Sequence, residues 1–581
     1  MELRPVILSA HDLCRTPAEL LGSALFADIL GSFVGDLAAR GSELHGFLRE
    51  QALVDGGGSG AADASRLVEL LTLLSARSIE DVSGAHPAYA GLAAWSACMH
   101  ELVESLYNYW RKLERYILIE EGYQAAKVMS VDYHNWFIDT AQSFEALVRE
   151  TYRRIAFNVG GELPRVYRQL PSGAGAGALI EHIPWRCPEG YEMLADIPFM
   201  QLVVIEPPLI LYPRRNYRRG AIKPLEENPL RLLGELQGSW YCYPARVGLL
   251  RIFIFFSSSF LHLGISLCNL FEMIPGEEIH RGDPDGILVF GGTAGSLSPD
   301  ETYYHEDAVN DLVAAYVSGI EEHDYFGYMK KAALTLHNVI MLNRGMLPLH
   351  GAMARIRMSS GKTANIVIVG DSGAGKSESL EALRAIAGEG SIDIKVVFDD
   401  MGVLGSDKGG RVLAYGTEIG AFVRLDDLQP GYAYSEVDRS IFMNPQLSNA
   451  RVVIPVSEYG YIIRGHAIDA LLYANNYEEI DEDNPILEFF SSIEEALPVF
   501  ESGARMAKGT TDEKGLVHSY FANPFGAAQK RREHDAVARY FFERLLAGGV
   551  RIGTLRTRLG IGGYEMRGPE EAARAILREF F

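Results

Sequence analysis

One stretch of the sequence has the residue types and the spacing of a phosphate-binding loop. Gly370, Gly375, Lys376 and Ser377 fit the pattern G-x-x-x-x-G-K-[ST]. In such a loop the glycines bring backbone N–H groups close to a phosphate, the lysine charge faces the β- and γ-phosphates, and the serine hydroxyl can ligate Mg²⁺. The expected nucleotide-binding positions are Gly370, Asp371, Ser372, Gly373, Ala374, Gly375, Lys376 and Ser377. The pattern therefore predicts a site for a nucleoside triphosphate.

A histidine and two aspartates flank this loop in the sequence. His350 precedes the loop, and Asp399 and Asp400 stand at the end of an apolar run, 395–398, that has the composition of a strand. In proteins with such a loop, an acid at that place can hold Mg²⁺ or its water, and a second acid can act as general base or metal ligand. The structural alternatives are a turn or helix cap for the two acids and a satisfied core position for His350.

Arginines and lysines could supply positive charge at the same site. Arg424 and Arg451 each stand in a short β-rich run, and an arginine that reaches a γ-phosphate neutralises charge that develops in phosphoryl transfer. Either arginine could instead form a surface ion pair. A second basic group stands within 212–223 and consists of Arg214, Arg215, Arg218, Arg219 and Lys223. This basic loop could grip a carboxylate or phosphate substrate, or it could be a solvated loop or an oligomer contact.

The elements that must position these residues follow from hydrophobic spacing. Ile366–Val369 has the composition of a buried strand and Glu378–Ala387 has helical spacing, so the loop is expected between a strand and a helix. The other expected elements are a helical segment over Asp311–Asn343, strands over Lys395–Phe398 and Val452–Ile454, and helices over Glu533–Leu546 and Glu570–Phe580. Together they predict a domain at 326–581.

The rest of the chain reads as a helical part followed by a β-rich part. Helical spacing over Ala18–Leu53 and Leu92–Glu120 predicts a mainly helical region at 1–155, with Asp55–Ala62 as a flexible connection. Glycine-rich Pro171–Ala178 reads as a linker to an α/β domain at 178–325. The expected strands of that domain are Met200–Glu206, Leu209–Tyr212, Arg251–Phe256 and Gly286–Phe290. The most apolar stretch, Val247–Phe271, reads as two buried strands rather than a membrane span.

Composition narrows the classes of partner. The 581 residues carry a formal net charge of −22, which argues against nucleic acid or an anionic membrane as the main partner. The five cysteines lack CxxC spacing, so we expect reduced thiols and no zinc site. The first residues have no basic segment followed by an apolar core, so we expect no signal peptide and a cytoplasmic location.

The order of these features resembles two related families, the ATP-dependent phosphoenolpyruvate carboxykinases and the HPr kinases/phosphorylases. Gly370–Glu378 and His350-Gly351 look very like the HPr kinase loop and its preceding histidine. Tyr325–Lys331, followed by eighteen residues and then His350, is similar to the carboxykinase pattern Tyr-Gly-Gly-Glu-Met-Lys-Lys…His. Ala507–Gly515 and Phe521–Gly526 resemble that family's Ala-Lys-x-x-Gly-Thr-Glu-x-Gly…Phe-Gly run more loosely. The resemblance covers about 320–580.

The resemblance implies an α/β fold: a P-loop-containing carboxykinase-like C-terminal domain, with an α/β middle domain and a mainly helical N-terminal region. It implies that Lys331, as a neutral amine, and His350 ligate a catalytic Mn²⁺ together with one aspartate of the pair. Asp400 is expected in that role rather than Asp399. Lys376 and Ser377 would hold the triphosphate and its Mg²⁺. The resemblance also places Tyr325 and Ser372 on the substrate side. Arg424, six residues after Glu418, would lie near a phosphate. Arg451 would lie between the γ-phosphate and the substrate.

Two features depart from the carboxykinase pattern. The family's Gly-Arg-Ser-Pro-Lys-Asp substrate motif is absent, so the arginine that grips the dicarboxylate has no counterpart unless the basic loop replaces it. The segment expected near the nucleotide base also differs. This chain has Gly560–Met566 there, whereas the family has a glycine-rich turn that carries Lys-Arg. ATP is the expected nucleotide, and GTP or another phosphoryl donor fits the same loop.

Three functions stay open from the sequence. The first is a carboxykinase-like enzyme that decarboxylates oxaloacetate or a similar 2-oxo diacid and phosphorylates the enolate. The second is a kinase that acts on a hydroxyl of a small molecule or protein, with Asp399 or Asp400 as base. The third is a nucleotide-binding regulatory or assembly protein whose helical N-terminal region recruits a partner. The expected ligands are Mg²⁺, Mn²⁺, a nucleotide and a small anionic substrate, and 1–155 could support a homo-oligomer.

Overall fold

The structure is a computed structural model. It describes residues 5–54, 64–121, 131–161, 170–218, 222–233, 236–295, 297–371, 373–387, 392–428, 436–507 and 515–581. Four of the sequence-based predictions fall outside this part of the chain. They concern Arg219, Ser372, the whole of the connection Asp55–Ala62, and the central part of Ala507–Gly515.

The chain forms two compact units. The first comprises Met1–Leu179 and Val204–Glu206, and the second comprises Ile180–Val203 and Pro207–Phe581. The predicted domain boundary at 325–326 falls inside the second unit, and the division into three domains stays a prediction. Both units contain helices and strands, which confirms a mixed α/β fold. Among the described residues, no helix has the length and apolar character that crossing a bilayer requires.

The first unit packs helices around an apolar core. Its helices are α1 (Pro17–Leu21), α2 (Ala24–Ala39), α3 (Glu43–Glu50), α4 (Ser65–Leu74), α5 (Ile79–Ala85), α6 (Ser96–Lys112) and α7 (Val131–Gly160). Serines cap several of them; Ser23, for example, accepts a hydrogen bond from the Phe26 N–H at the start of α2. Leu30, Leu48 and Leu70 are fully buried in the shared core.

Two predictions for the first unit are wrong in part. The expected helix Leu92–Glu120 ends at Lys112, and Arg115–Glu121 forms strand β2, parallel to β1 (Val6–Ser9). The run Tyr116–Ile119 is aromatic and aliphatic and lies buried, which favours a strand over a helix. The expected linker Pro171–Ala178 is held in place, because Trp110 Nε1 donates to the Ser172 carbonyl at 2.7 Å, and its last residues enter β3 (Ala176–Glu181).

The second unit is built on two larger sheets. The first has the strand order β4-β7-β8-β10-β12-β11-β6. Its strands are β4 (Phe199–Ile205), β6 (Ile222–Pro224), β7 (Trp240–Val247), β8 (Leu250–Ser257), β10 (Gly286–Gly292), β11 (Thr302–Asp307) and β12 (Leu312–Ser318), with β9 (Glu272–Met273) beside β7. Two short helices, α8 (Leu261–Ser266) and α9 (Gly276–Ile279), lie between these strands in the sequence.

The second large sheet carries the phosphate-loop motif. Its order is β16-β15-β13-β14-β20-β24-β21. The strands are β13 (Leu347–Met358), β14 (Thr363–Val369), β15 (Ile392–Ser406), β16 (Val412–Gly416), β20 (Ala470–Asn475), β21 (Leu487–Phe489) and β24 (Arg551–Arg556). A smaller sheet, β17-β19-β18-β5, contains β5 (Leu209–Leu211), β17 (Gly420–Arg424), β18 (Ile441–Met443) and β19 (Arg451–Pro455), and a hairpin pairs β22 (Ala504–Met506) with β23 (Leu516–His518).

Alternate residues of β14 bury the two faces of this sheet against different helices. Val367 and Val369 share a core with α13 (Ile493–Ser502) and α14 (Arg531–Ala547). Ile366 and Ile368 share a core with α11 (Lys376–Ala387) and α15 (Arg567–Phe580). The remaining helices are α10 (Phe326–Asn343) and α12 (Tyr459–Ile462). Because successive strand residues face opposite sides, both faces of β14 are apolar, and the sequence shows a continuous aliphatic run.

Two predictions for the second unit are also wrong in part. The segment Asp311–Asn343 is not one helix, since Leu312–Ser318 is β12, a fully buried strand between β10 and β11. The stretch Val247–Phe271 contains one long strand, β8, and then helix α8 instead of a second strand. Gly264 permits that helix to cross closely, because a Cβ there would lie 2.1 Å from the Phe256 ring.

Candidate functional site

A cavity of about 930 Å³ in the second unit collects most of the predicted site residues. The lining includes Arg214, Arg215, Arg218, Tyr325, Lys331, Asp371, Gly373, Lys376, Ser377, Asp399, Asp400, Arg424 and Arg451. His350 does not line the cavity but contacts Asp400. These residues come from segments separated by more than a hundred positions in the sequence, so their convergence is produced by the fold.

The phosphate-loop motif lies between β14 and α11, as the sequence predicts. Gly375 has φ +96°, and a Cβ at this position would lie 2.6 Å from Thr557 Oγ1, so only glycine fits. Thr557 Oγ1 donates to the Ala374 carbonyl at 2.8 Å, and Asn476 Nδ2 donates to the Gly373 carbonyl at 2.9 Å. These two side chains, which follow strands β20 and β24, fix the loop at Gly373 and Ala374.

The two aspartates are not at the end of a strand, which corrects the prediction. Asp399 and Asp400 lie in the middle of β15, because the apolar residues Met401–Leu404 extend the pairing with β13. Asp400 stands opposite Gly351 in that pairing, next to His350. The central position holds both carboxylates within β15, just after a register shift at Phe398 and Val396 and beside the first turn of α11. Ser377 Oγ donates to Asp399 Oδ1 at 2.8 Å.

Asp400 is the centre of a buried charge cluster, which we name the Asp400 cluster: Lys330, Lys331, His350, Asp400 and Glu418. Lys331 Nζ and Lys330 Nζ lie 2.6 and 2.7 Å from Asp400 Oδ2, and His350 Nε2 lies 2.9 Å from Oδ1. Lys330 Nζ also lies 2.8 Å from Glu418 Oε1. The cluster thus sets two lysines against two acidic side chains, and its Lys331 and Asp400 side chains are 14% and 17% exposed at the cavity.

The cluster changes the acid–base properties of its members. Burial alone would raise the pKa of the Asp400 carboxyl, but the charges of Lys330 and Lys331 and the hydrogen bond to His350 outweigh burial and hold that pKa well below its usual range. Burial, aided by the neighbouring Lys330 charge, lowers the pKa of Lys331 to about 8. Burial and the charge of Lys331 likewise lower the pKa of His350. Lys331 and His350 can therefore give up protons more readily than exposed residues.

The residues of the Asp400 cluster fit a divalent metal. Among the described residues, no three histidine, cysteine, aspartate or glutamate side chains form a group that could hold a metal ion. A metal here would therefore depend on the amine of Lys331 beside His350 and Asp400. The lowered pKa of Lys331 suits that role, because an amine must be neutral to ligate a metal. Ser377 and Asp399 offer a second pair of oxygen ligands at the start of α11.

Two cations of the cavity have no carboxylate partner within the described residues. Arg451 is half-buried, its Nε has no hydrogen-bond acceptor, and its guanidinium lies 5.6 Å from the centre of the Phe422 ring. Lys376 is 5% exposed, and its Nζ donates to the main-chain oxygen of Asp371 at 3.1 Å. Arg424, the cross-strand neighbour of Arg451, instead pairs with Asp426 at 3.2 Å. Arg451 and Lys376 thus offer positive charge to an anion.

The basic loop divides into residues with different surroundings. Arg215 Nη2 lies 3.1 Å from Glu321 and 3.2 Å from Glu322, and Arg214 lies 3.8 Å from Glu321 and Asp324. Lys223 pairs with Glu301 and does not line the cavity. Arg218 lies 5.0 Å from the centre of the Phe525 ring, and burial lowers its pKa. Arg214, Arg215 and Arg218 line the cavity and Lys223 does not, and the clamp for an anion stays a prediction.

Asparagines join the basic loop to the turn between β18 and β19. Asn444 Nδ2 donates to the Pro213 carbonyl at 2.6 Å, and Asn449 Nδ2 donates to the Asn216 carbonyl at 2.5 Å. Asn444 and Asn449 have φ values of +50° and +60°, a backbone region that asparagine adopts more readily than most residues. Strand β5 pairs with β18 immediately beside them. One wall of the cavity is thereby fixed between segments more than two hundred residues apart.

Sequence reasoning missed several residues of the site. Lys330 stands beside Lys331 in the Met-Lys-Lys run, and this position is a local signal for a residue of the site. In the sequence, Glu418 serves only to align Arg424 with the family pattern. Phe525 had no role assigned, although Lys331 Nζ lies 4.4 Å from the centre of its ring. Arg505 pairs with Asp371 at 3.0 Å across 134 positions, and no local pattern predicts that contact.

The chain was compared with protein-family models and with curated proteins. No family model and no curated protein matches it.

Proposed function

We propose that the chain is a carboxykinase-like phosphotransferase. It would transfer the γ-phosphoryl group of ATP, or of a related nucleoside triphosphate, to an enolate formed by decarboxylation of oxaloacetate or a similar 2-oxo diacid. The observation that carries the proposal is the meeting of Lys331 and Asp400, two members of the Asp400 cluster, with three residues of the phosphate site in one cavity: Lys376, Ser377 and Asp399. The carboxykinase-like fold of 326–581 is part of the proposal, and the order β14, glycine loop, α11 supports it.

Each part of the site would have a separate task. The glycine loop and Lys376 would bind the β- and γ-phosphates, and Ser377 with Asp399 would hold Mg²⁺. Lys331, His350 and Asp400 would hold Mn²⁺, which when bound supplies Lewis-acid stabilisation of an enolate oxygen. Arg451 would neutralise charge on the phosphoryl group in transit, because it lines the cavity and has no carboxylate partner in the described part of the chain.

The proposed reaction needs no general base. The bond to the departing CO₂ breaks and leaves its electron pair in the enolate, whose oxygen attacks the γ-phosphorus as the bond to the β-phosphate oxygen breaks. The products are CO₂, the enol phosphate and the nucleoside diphosphate. Asp400 is a weak base because its pKa lies well below the usual range, so the site suits this reaction better than proton removal by that carboxylate.

A second candidate is a kinase that acts on a hydroxyl group. The cavity volume of about 930 Å³ and the exposed apolar side chains Tyr217 and Leu447 at its lining favour an acceptor larger than a four-carbon diacid. In that reaction Asp399 would accept the hydroxyl proton, since Asp400 is held by three cationic or hydrogen-bonding partners. An enolate acceptor and a hydroxyl acceptor differ in whether CO₂ is released.

The test is a product assay with purified protein, ATP, Mg²⁺ and Mn²⁺, with and without oxaloacetate. We expect phosphoenolpyruvate only when oxaloacetate is present. Lys331→Ala should abolish the product, whereas Lys408→Ala, an exposed lysine outside the cavity, should not change the rate. ATP binding without phosphoenolpyruvate would contradict the enolate acceptor and direct the search to hydroxyl acceptors, with Asp399→Asn as the diagnostic variant.

A further inference from the structure

The phosphate-loop motif contains a negative charge at its second position. Asp371 follows Gly370, lines the cavity, and lies beside Lys376, whose Nζ donates to its main-chain oxygen at 3.1 Å. A carboxylate here would repel the phosphates that we propose the loop binds, and burial would strengthen the repulsion because the local dielectric constant is low. The loop therefore needs a cation that compensates Asp371.

Arg505 is placed to supply that cation. Its Nε lies 3.0 Å from Asp371 Oδ2, and the two side chains are only 7% and 13% exposed. The other carboxylate oxygen, Oδ1, lies 3.7 Å from His350 Nδ1, but that nitrogen donates to the Ala522 carbonyl at 2.6 Å. Arg505 thus makes the closer charged contact to Asp371, and water screens the pair little.

The strand that carries Arg505 is fixed to the same loop by a separate route. Asn476 Oδ1 accepts from the Met506 N–H at 2.8 Å, while Asn476 Nδ2 donates to the Gly373 carbonyl at 2.9 Å and to the Met506 carbonyl at 3.0 Å. Tyr473 Oη donates to the Ala504 carbonyl at 2.8 Å on the other side of Arg505. Residues on both sides of Arg505 therefore hold it at Asp371.

From this geometry we infer that Arg505 is a positioning residue that makes the loop Gly370–Ser377 receptive to phosphates by neutralising Asp371. This inference rests on the proposed nucleotide binding. Arg505 acts through Asp371, so its removal harms binding only while the carboxylate is present. A residue that contacted the phosphate directly would be needed whether or not Asp371 carried a charge. The two roles are separated by removing both charges together.

The experiment measures the affinity for a non-hydrolysable ATP analogue with Mg²⁺ by calorimetry. We expect Arg505→Leu to weaken binding at least tenfold, because Asp371 loses the positive charge that lies 3.0 Å from its carboxylate. Asp371→Asn should strengthen binding several-fold, since the loop then carries one negative charge fewer beside the phosphates. The double variant Asp371→Asn/Arg505→Leu should recover to within threefold of the wild type. Arg551→Leu removes an arginine paired with Glu579 outside the cavity and should leave affinity unchanged.

Other results would overturn the inference. A double variant as weak as Arg505→Leu would show that Arg505 contacts the phosphate or supports the fold, and unaltered binding by Arg505→Leu would show that the pair has no role. Should Arg505→Leu not fold, Arg505→Gln tests the same loss of charge, and Arg505→Lys should bind nearly as the wild type. A wild-type chain that does not bind the analogue would overturn the proposed function itself, and this inference with it.

Discussion

The cationic side chains of the cavity differ in whether a carboxylate already neutralises their charge. Lys330 lies between Asp400 and Glu418, and although burial alone would lower its pKa, the two carboxylates raise it, so Lys330 keeps its proton. Arg215 is likewise paired with glutamates. Arg451 and Lys376 have no such partner within the described residues. A count of basic residues would treat all four alike, whereas their surroundings divide them into structural and available charges.

Arg451→Gln should therefore slow phosphoryl transfer more than it weakens nucleotide binding. We expect kcat to fall by about 10²–10³-fold, because a charge aimed at the transferring group acts mainly in the transition state. Arg451→Lys should recover only part of the loss, since an ammonium group lacks the planar fork of hydrogen-bond donors. Steady-state kinetics test this, with Arg357→Gln as control at an exposed position of β13. A loss confined to KM would contradict the role.

At the scale of elements, Asp324 anchors the basic loop at the start of α10. Its Oδ1 lies 2.7 Å from His262 Nε2, and its Oδ2 accepts from the Arg214 N–H at 3.1 Å. The Arg215 N–H donates to the Asp324 carbonyl at 3.1 Å. One residue thus connects α8, α10 and the basic loop, so its ionisation should affect how firmly the loop is held.

We expect the Asp324 anchor to make stability depend on acid pH. Burial alone would raise the pKa of this carboxyl, but the contacts with His262 and Arg214 outweigh burial and lower it. The ionised form is thus favoured on folding: its stabilisation is present above the unfolded pKa of about 4 and is lost as pH falls through the lower folded pKa. Asp324→Asn should be less stable at pH 7 by about 1–3 kcal/mol. Its deficit should shrink below pH 4.

Urea unfolding between pH 3 and pH 7 measures this effect. The matched control is Asp438→Asn, at an exposed position, which should follow the wild-type curve at every pH. A deficit for Asp324→Asn that stays constant across the range would show that the residue acts through its shape or its neutral hydrogen bonds, and not through its charge.

The sequence predicted local patterns well and long-range partners poorly. The order β14, glycine loop and α11 was readable because glycine spacing and aliphatic runs are local signals. Pattern alone did not separate β12 from α10, since both segments are largely buried and rich in apolar residues. The same limit made Tyr116–Ile119 look helical. The pairing of Arg505 with Asp371 depends on a hairpin contact that no spacing rule encodes.

At the scale of the molecule, the apolar core of the first unit and the cavity of the second involve separate sets of residues. Leu70→Ala in α4 should lower the free energy of unfolding by about 2–5 kcal/mol, because it leaves a cavity at a fully buried position. Leu25→Ala, at a partly exposed position of α2, should cost under about 1 kcal/mol. Denaturant unfolding measures both. Nucleotide affinity at 25 °C should not change in either variant, and a parallel loss would contradict this separation.

The wall formed by β5, β18 and their asparagines also bears on how the chain acquires its site. Asn216 contacts Asn449 across 233 positions, and Phe525, which comes later in the chain than Asn449, contacts Lys331. Contacts between such distant segments close large loops, which slows folding and delays the contacts until late in the process. During synthesis, a ribosome must release residues beyond 525 before the cavity can close. A partly made chain would display the glycine loop long before it had the groups that use a bound phosphate.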